Sequence, residues 1–137
     1  MKFFHSLKFV VLVWAAIFVL WGFTMLNEWL FYHWWADIVL HFAGGFLIFL
    51  LARYIFEHYK LEISGEHRNI AKIFIFISFM AFVGVLWELF EFILDRYIVH
   101  TGFTYLARVF EDTLLDLLMD ILGGITAFLL YFKNGKA

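Results

Sequence analysis

Seven carboxylates and one imidazole occupy spacings that gather them on helical faces. Asp37 and His41 are four residues apart, Glu88, Glu91 and Asp95 follow one another at three and four, and Asp112, Asp116 and Asp120 form an i, i+4, i+8 stripe. At about 100° per residue each set shares one face of a helix, and the last drifts only about 40° per step. Oxygen and imidazole donors suit Mg²⁺, Mn²⁺, Ca²⁺, Zn²⁺ or iron, as one ion or two. The chain has no cysteine, which excludes thiolate zinc sites, iron–sulfur clusters, disulfides and a cysteine nucleophile. The expected metal ligands are Asp37, His41, Glu88, Asp116 and Asp120, with Glu91 as the catalytic group that positions or deprotonates water. Glu28, Asp95, Glu111 and Asp112 are expected at a solvated rim.

The elements that must hold these groups are membrane helices. Of 137 residues, 65% are hydrophobic and 16% charged, with no proline, whereas a soluble domain is about 45–50% apolar and about 25% charged. Charge-poor runs at about 7–26, 38–56, 70–94 and 114–132 are each long enough to span a bilayer core. This predicts an all-α fold, a four-transmembrane-helix bundle forming one integral membrane domain over residues 1–137. The first run is expected to stay as a signal-anchor helix, since it exceeds a usual signal-peptide core and lacks a small-residue exit.

Charge sets the expected orientation. Lys2, Lys8, Arg53, Lys60, Arg68, Lys72, Lys133 and Lys136 fall on the side shared by both termini, and only Arg96 and Arg108 on the other. Eight against two places both termini in the cytoplasm. Trp29, Trp34 and Trp35 then belong to an outer interfacial belt. Three acids, Glu57, Glu62 and Glu66, join the inner side and the other nine the outer half, giving net +5 inside and −7 outside. With Asp37, Asp95 and Asp112 at the outer boundary and about 1.5 Å per residue, His41, Glu91 and Asp116 lie about 6 Å deep, and Glu88 and Asp120 about 10–12 Å. A charge at a helix centre costs about 2.5–3.5 kcal/mol, so these groups should face the bundle interior and have partners.

A motif recurs. Asp37-x3-His41-x2-Gly44-Gly45-x3-Phe49-Leu50-Leu51 matches Asp116-x3-Asp120-x2-Gly123-Gly124-x3-Phe128-Leu129-Leu130, as two duplicated helical hairpins about an axis along the membrane normal would give. Gly44, Gly45, Gly84, Gly123 and Gly124 lie about one turn below the acids, where small residues permit close helix packing.

Alternatives stand beside the metal reading. The acids could be protonated and bonded to one another and to Asn27, Trp87 and Thr113, fixing only the packing. Arg96 and Arg108 flank the mouth with His100, Thr101 and Tyr105 between them, and would either hold a substrate phosphate or neutralise nearby acids. His5, His33, His58 and His67 lack partners at ligand spacing and are expected in loops or at the interface.

The segments Asp37-Ile-Val-Leu-His41-Phe-Ala-Gly44-Gly45, Gly84-Val-Leu-Trp87-Glu88-Leu-Phe-Glu91 and Asp112-Thr113-Leu-Leu-Asp116-Leu-Leu-Met-Asp120-Ile-Leu-Gly123-Gly124 resemble the YjdF-like family of prokaryotic inner-membrane proteins and, more distantly, VanZ-like membrane proteins. The resemblance covers roughly residues 37 to 130 and implies a multi-helix membrane protein with an acidic centre. It carries no activity.

Three functions fit. One is a metal-dependent hydrolase or transferase acting on a lipid-linked phosphate at the outer leaflet. Another is a binding or transport protein for a divalent cation or proton, and the third a small subunit of a membrane assembly. The expected cofactor is a divalent metal. The expected partners are membrane lipids, a lipid-linked phosphate and a second copy of the chain; nucleic acid is not expected, because the basic residues are dispersed beside the spans.

Overall fold

The computed structural model describes residues 7–27, 33–102 and 108–133. They form four helices: α1 (Leu7–Leu26), α2 (Trp34–His58), α3 (Arg68–Leu94) and α4 (Val109–Lys133). At about 1.5 Å per residue, the 20 residues of α1 already reach about 30 Å. All four helices are long and apolar enough to cross a membrane. Large apolar side chains such as Val19, Phe74, Phe82 and Leu129 point outward, as lipid requires. No strand occurs among the described residues.

Two helices begin earlier than hydropathy predicts. α2 starts at Trp34 rather than near Ile38, and α4 at Val109 rather than near Leu114. The early residues include Asp37, Glu111 and Asp112, each in a first turn. Carboxylates there complement the helix dipole, so the charge that ends an apolar window helps to start a helix.

The parallel pair α2 and α4 makes the most extensive contact. A Cβ on Gly45 would overlap the carbonyl of Asp120, and one on Gly123 the carbonyl of Phe42. Only glycine allows the two backbones this approach. Antiparallel α3 packs against both, seating the Met80 side chain where a Cβ on Gly124 would stand. Ile48, Phe49, Ala52, Phe76, Met80 and Ala127 fill the half of the bundle toward Arg53. Phe49 is central, its ring 5.2 Å from that of Phe76 and 5.8 Å from that of Phe128. Beyond this core Arg53 is buried, with Nε 3.4 Å from Glu57 and its guanidinium 4.6 Å above the ring of Tyr131, whose hydroxyl donates to Glu57 at 3.1 Å.

α1 attaches differently. Trp14, Phe18 and Trp21 pack edge-on or tilted against Trp87 and Phe90 of α3, with Trp21 and Trp87 centroids 5.1 Å apart. A smaller cluster of Trp21 and Ala36, with Leu40, Trp87 and Leu94 against it, binds the helix at its acidic end.

Past α3 the chain continues in a π-helical turn, Asp95–Val99, and reverses at His100 (φ 59°) and Gly102 (φ 83°). Asp95 is 1% exposed. It accepts from the Thr101 hydroxyl at 2.5 Å and the Gly102 N–H at 2.9 Å, while its own carbonyl accepts from the His100 N–H at 2.9 Å. The expectation of a solvated rim position is therefore corrected: the reversal folds over Asp95, and the carboxylate serves as its anchor. Glu111 is exposed, as expected, and Glu28 lies outside the described residues.

Candidate metal centre

Above the phenylalanine core, α2, α3 and α4 each contribute carboxylates to one buried layer. Asp37 and His41 of α2, Glu91 of α3, and Asp116 and Asp120 of α4 are all buried. Glu88 and Asp112 are half-buried. The helical spacing explains the convergence. Asp112, Asp116 and Asp120 face the same side because α4 begins a full turn before Leu114, which carries Asp112 into the layer and off the rim assigned to it from sequence.

His41 stands at the middle. Its Nδ1 lies 3.4 Å from Oδ2 of Asp120, and its Nε2 lies 3.7 Å from Oε1 of Glu88 and 3.9 Å from Oδ1 of Asp37. A proton held on Nδ1 by Asp120 leaves the Nε2 lone pair facing the other acids, the arrangement by which a carboxylate orients a metal-bound imidazole. Gly84 and Gly44 form the floor beneath Asp120: a Cβ on Gly84 would come 2.5 Å from Oδ2, and one on Gly44 3.7 Å from Oδ1.

Two further side chains fix individual oxygens. Thr113 donates to Oε2 of Glu88 at 2.7 Å. The indole of Trp21 donates to Oε1 of Glu91, joining α1 to the layer. Thr113 was expected as a partner, since it follows Asp112 at the start of the acidic stripe. Trp21 was not: a tryptophan in an apolar span carries no sign of which carboxylate it will meet. Of the other expected partners, Asn27 donates instead to the carbonyl of Phe23 at 2.7 Å, and Trp87 packs against Trp21.

Four ligand-type atoms in this layer are buried without a hydrogen-bond partner among the described residues: Asp37 Oδ1, His41 Nε2, Glu88 Oε1 and Asp116 Oδ1. Buried polar atoms are ordinarily satisfied. Three groupings place one ligand atom from each member within 4.8 Å of the others: Asp37, His41 and Glu91; His41, Glu88 and Asp116; Asp37, Asp112 and Asp116. Metal–ligand bonds of about 2.0–2.6 Å let one ion span atoms separated by no more than about 4–5 Å. The donor set therefore fits a hard or borderline divalent cation, and Lewis-acid activation of water or phosphate is the chemistry it can support.

The remaining expected residues belong to none of these groupings. Arg96 is half-buried in the π-helical turn, and Arg108 is exposed just before α4. Trp35 is exposed at the start of α2. His33 precedes α2, and His58 and His67 are exposed at helix ends. Trp29, Tyr105 and His5 lie outside the described residues, as does the side chain of Trp34.

A narrow cavity reaches the layer from α1, between Trp14, Trp21, Leu40, Asp37, His41 and Asp120. The Trp14 indole nitrogen is also buried without an acceptor among the described residues.

The chain belongs to the family described as predicted membrane protein (DUF2238), which it matches over residues 1–136. The YjdF-like proteins are part of that family. No curated protein and no solved structure matches the chain.

Proposed function

We propose that the protein is a metal-dependent enzyme of the cytoplasmic membrane of a prokaryote, with its carboxylate and histidine centre opening outward and acting on a lipid-linked phosphate. The observation that carries the metal reading is the convergence of four unsatisfied buried atoms, Asp37 Oδ1, His41 Nε2, Glu88 Oε1 and Asp116 Oδ1, from three helices. A network of protonated acids built only for packing would use such atoms to bond one another. Asp120 orients His41 through Nδ1, and Thr113 holds Glu88 with one oxygen left inward.

Glu91 is the general base or water-positioning group. Its burial and its indole bond from Trp21 keep one oxygen fixed, while an oxygen also falls within reach of Asp37 and His41. Arg96 in the π-helical turn after α3 and Arg108 just before α4 would hold the phosphate as bidentate donors. Support for a substrate carried on lipid comes from the cavity beside the centre, whose wall is aromatic and aliphatic apart from Asp37, His41, Asp120 and the indole N–H groups.

Cation or proton transport is the second reading, and the core disfavours it. Phe49 and Met80 are 0% and 1% exposed directly beneath the layer, so a path to the Arg53 end would require the helices to part.

Elemental mass spectrometry of detergent-purified protein, alongside Glu88→Ala and Asp116→Ala, tests the centre. Stoichiometric metal that is lost in both variants is expected, and metal unchanged in both would refute it. Phosphate release from a panel of lipid phosphates, lost in Glu91→Gln with metal retained, tests the reaction. No release across the panel would move the function to cation binding.

A further inference from the structure

We infer that the centre holds two divalent ions bridged by the carboxylate of Asp116, with Asp112 a ligand of the second. This rests on the metal reading proposed above and extends it to nuclearity. Of the three groupings, the one formed by His41, Glu88 and Asp116 and the one formed by Asp37, Asp112 and Asp116 share only Asp116. A carboxylate has two oxygens and can serve two ions. The grouping of Asp37, His41 and Glu91 cannot be filled together with the first, because both need His41 and its Nδ1 is occupied by Asp120.

The unsatisfied atoms choose between the remaining combinations. His41 Nε2, Glu88 Oε1 and Asp116 Oδ1 are all buried without hydrogen-bond partners among the described residues, and the three residues that carry them make up the whole of one grouping. His41 itself is only 4% exposed. Asp37, which carries the fourth such atom, belongs to the other. Glu91, by contrast, already accepts the Trp21 indole. Each ion is thus offered residues with buried atoms that have no hydrogen-bond partner among the described residues.

Charge points the same way. The layer holds six carboxylates, those of Asp37, Glu88, Glu91, Asp112, Asp116 and Asp120, and a second divalent ion compensates two more of them when they are ionised inside a membrane bundle. Carboxylate-bridged pairs of this kind sit about 3.5–4 Å apart, close enough for their unpaired electrons to couple.

Loading the metal-free, detergent-purified full chain with Mn²⁺ provides the test, read by elemental analysis and electron paramagnetic resonance. Two Mn²⁺ per chain and an exchange-coupled spectrum are expected. Asp112→Asn should retain one ion and give the six-line spectrum of isolated Mn²⁺, while Glu111→Gln, an exposed neighbour, should keep both ions and the coupling. One uncoupled Mn²⁺ per wild-type chain would overturn the bridged pair and leave the single-metal reading standing. No bound Mn²⁺, Zn²⁺ or Fe²⁺ would overturn both. The wild-type spectrum decides without any variant, so a misfolded Asp112→Asn does not rescue the inference.

Discussion

His41 and Asp120 occupy the same position in the two copies of the repeated motif, and they meet, Nδ1 of one 3.4 Å from Oδ2 of the other. The pair lies in the interface where α2 packs against α4. The substitution of an acid for an imidazole at that position gives the histidine an orienting carboxylate. Asp120→Asn should therefore weaken Mn²⁺ affinity by about 10–100-fold, the usual effect of losing such an orienting partner, while leaving the number of sites unchanged. Equilibrium titration with Mn²⁺ measures both, and unaltered affinity would remove Asp120 from this role.

Binding should also stabilise the fold by mass action. Mn²⁺ at one hundred times its Kd adds about 2.7 kcal/mol to the unfolding free energy. Thermal unfolding in detergent should thus shift upward with metal and return with a chelator. The shift should vanish in Asp116→Asn.

The closeness of α2 and α4 depends on absent side chains. Gly123→Ala would drive a methyl group into the carbonyl of Phe42, and overpacking of this kind costs about 1–3 kcal/mol. Gly22→Ala in α1 meets nothing within 4 Å and should stabilise by up to about 1 kcal/mol, through helix propensity alone. Denaturant unfolding of the two variants should move in opposite directions.

Trp21→Phe keeps most of the ring packing and removes the donor to Glu91. A buried acceptor left unsatisfied costs about 1–3 kcal/mol, so stability should fall while metal content stays at its wild-type value. Loss of metal in this variant would mean that Glu91 is itself a ligand.

Much of this arrangement was legible from spacing. Hydropathy located the four helices, and the i, i+3 and i, i+4 patterns put Asp37 with His41, Glu88 with Glu91, and Asp116 with Asp120 on shared faces turned toward the bundle interior. Two carboxylates escaped, for opposite reasons. Asp112 looked like a rim residue because the apolar run begins after it, although the helix begins before it. Asp95 looked exposed because nothing in one dimension shows the chain folding back, through His100 and Gly102, to cover it. Trp21 and Arg53 were unreadable for a third reason: each acts through a partner on another helix or at another depth, and helical periodicity reports only faces.

The dependence of the centre on α4 has a consequence for biosynthesis. α2 and α3 are made first, carrying Asp37, His41, Glu88 and Glu91, while the helix that supplies Asp112, Asp116, Asp120 and the Gly123 contact emerges last. Until it arrives these groups lack the neighbours they have in the finished bundle, and each charge near a helix centre costs about 2.5–3.5 kcal/mol. Completion of the layer therefore waits until α4 docks against α2 and α3. A chain truncated before Val109 would contain three of the four spans and none of the second half of the site.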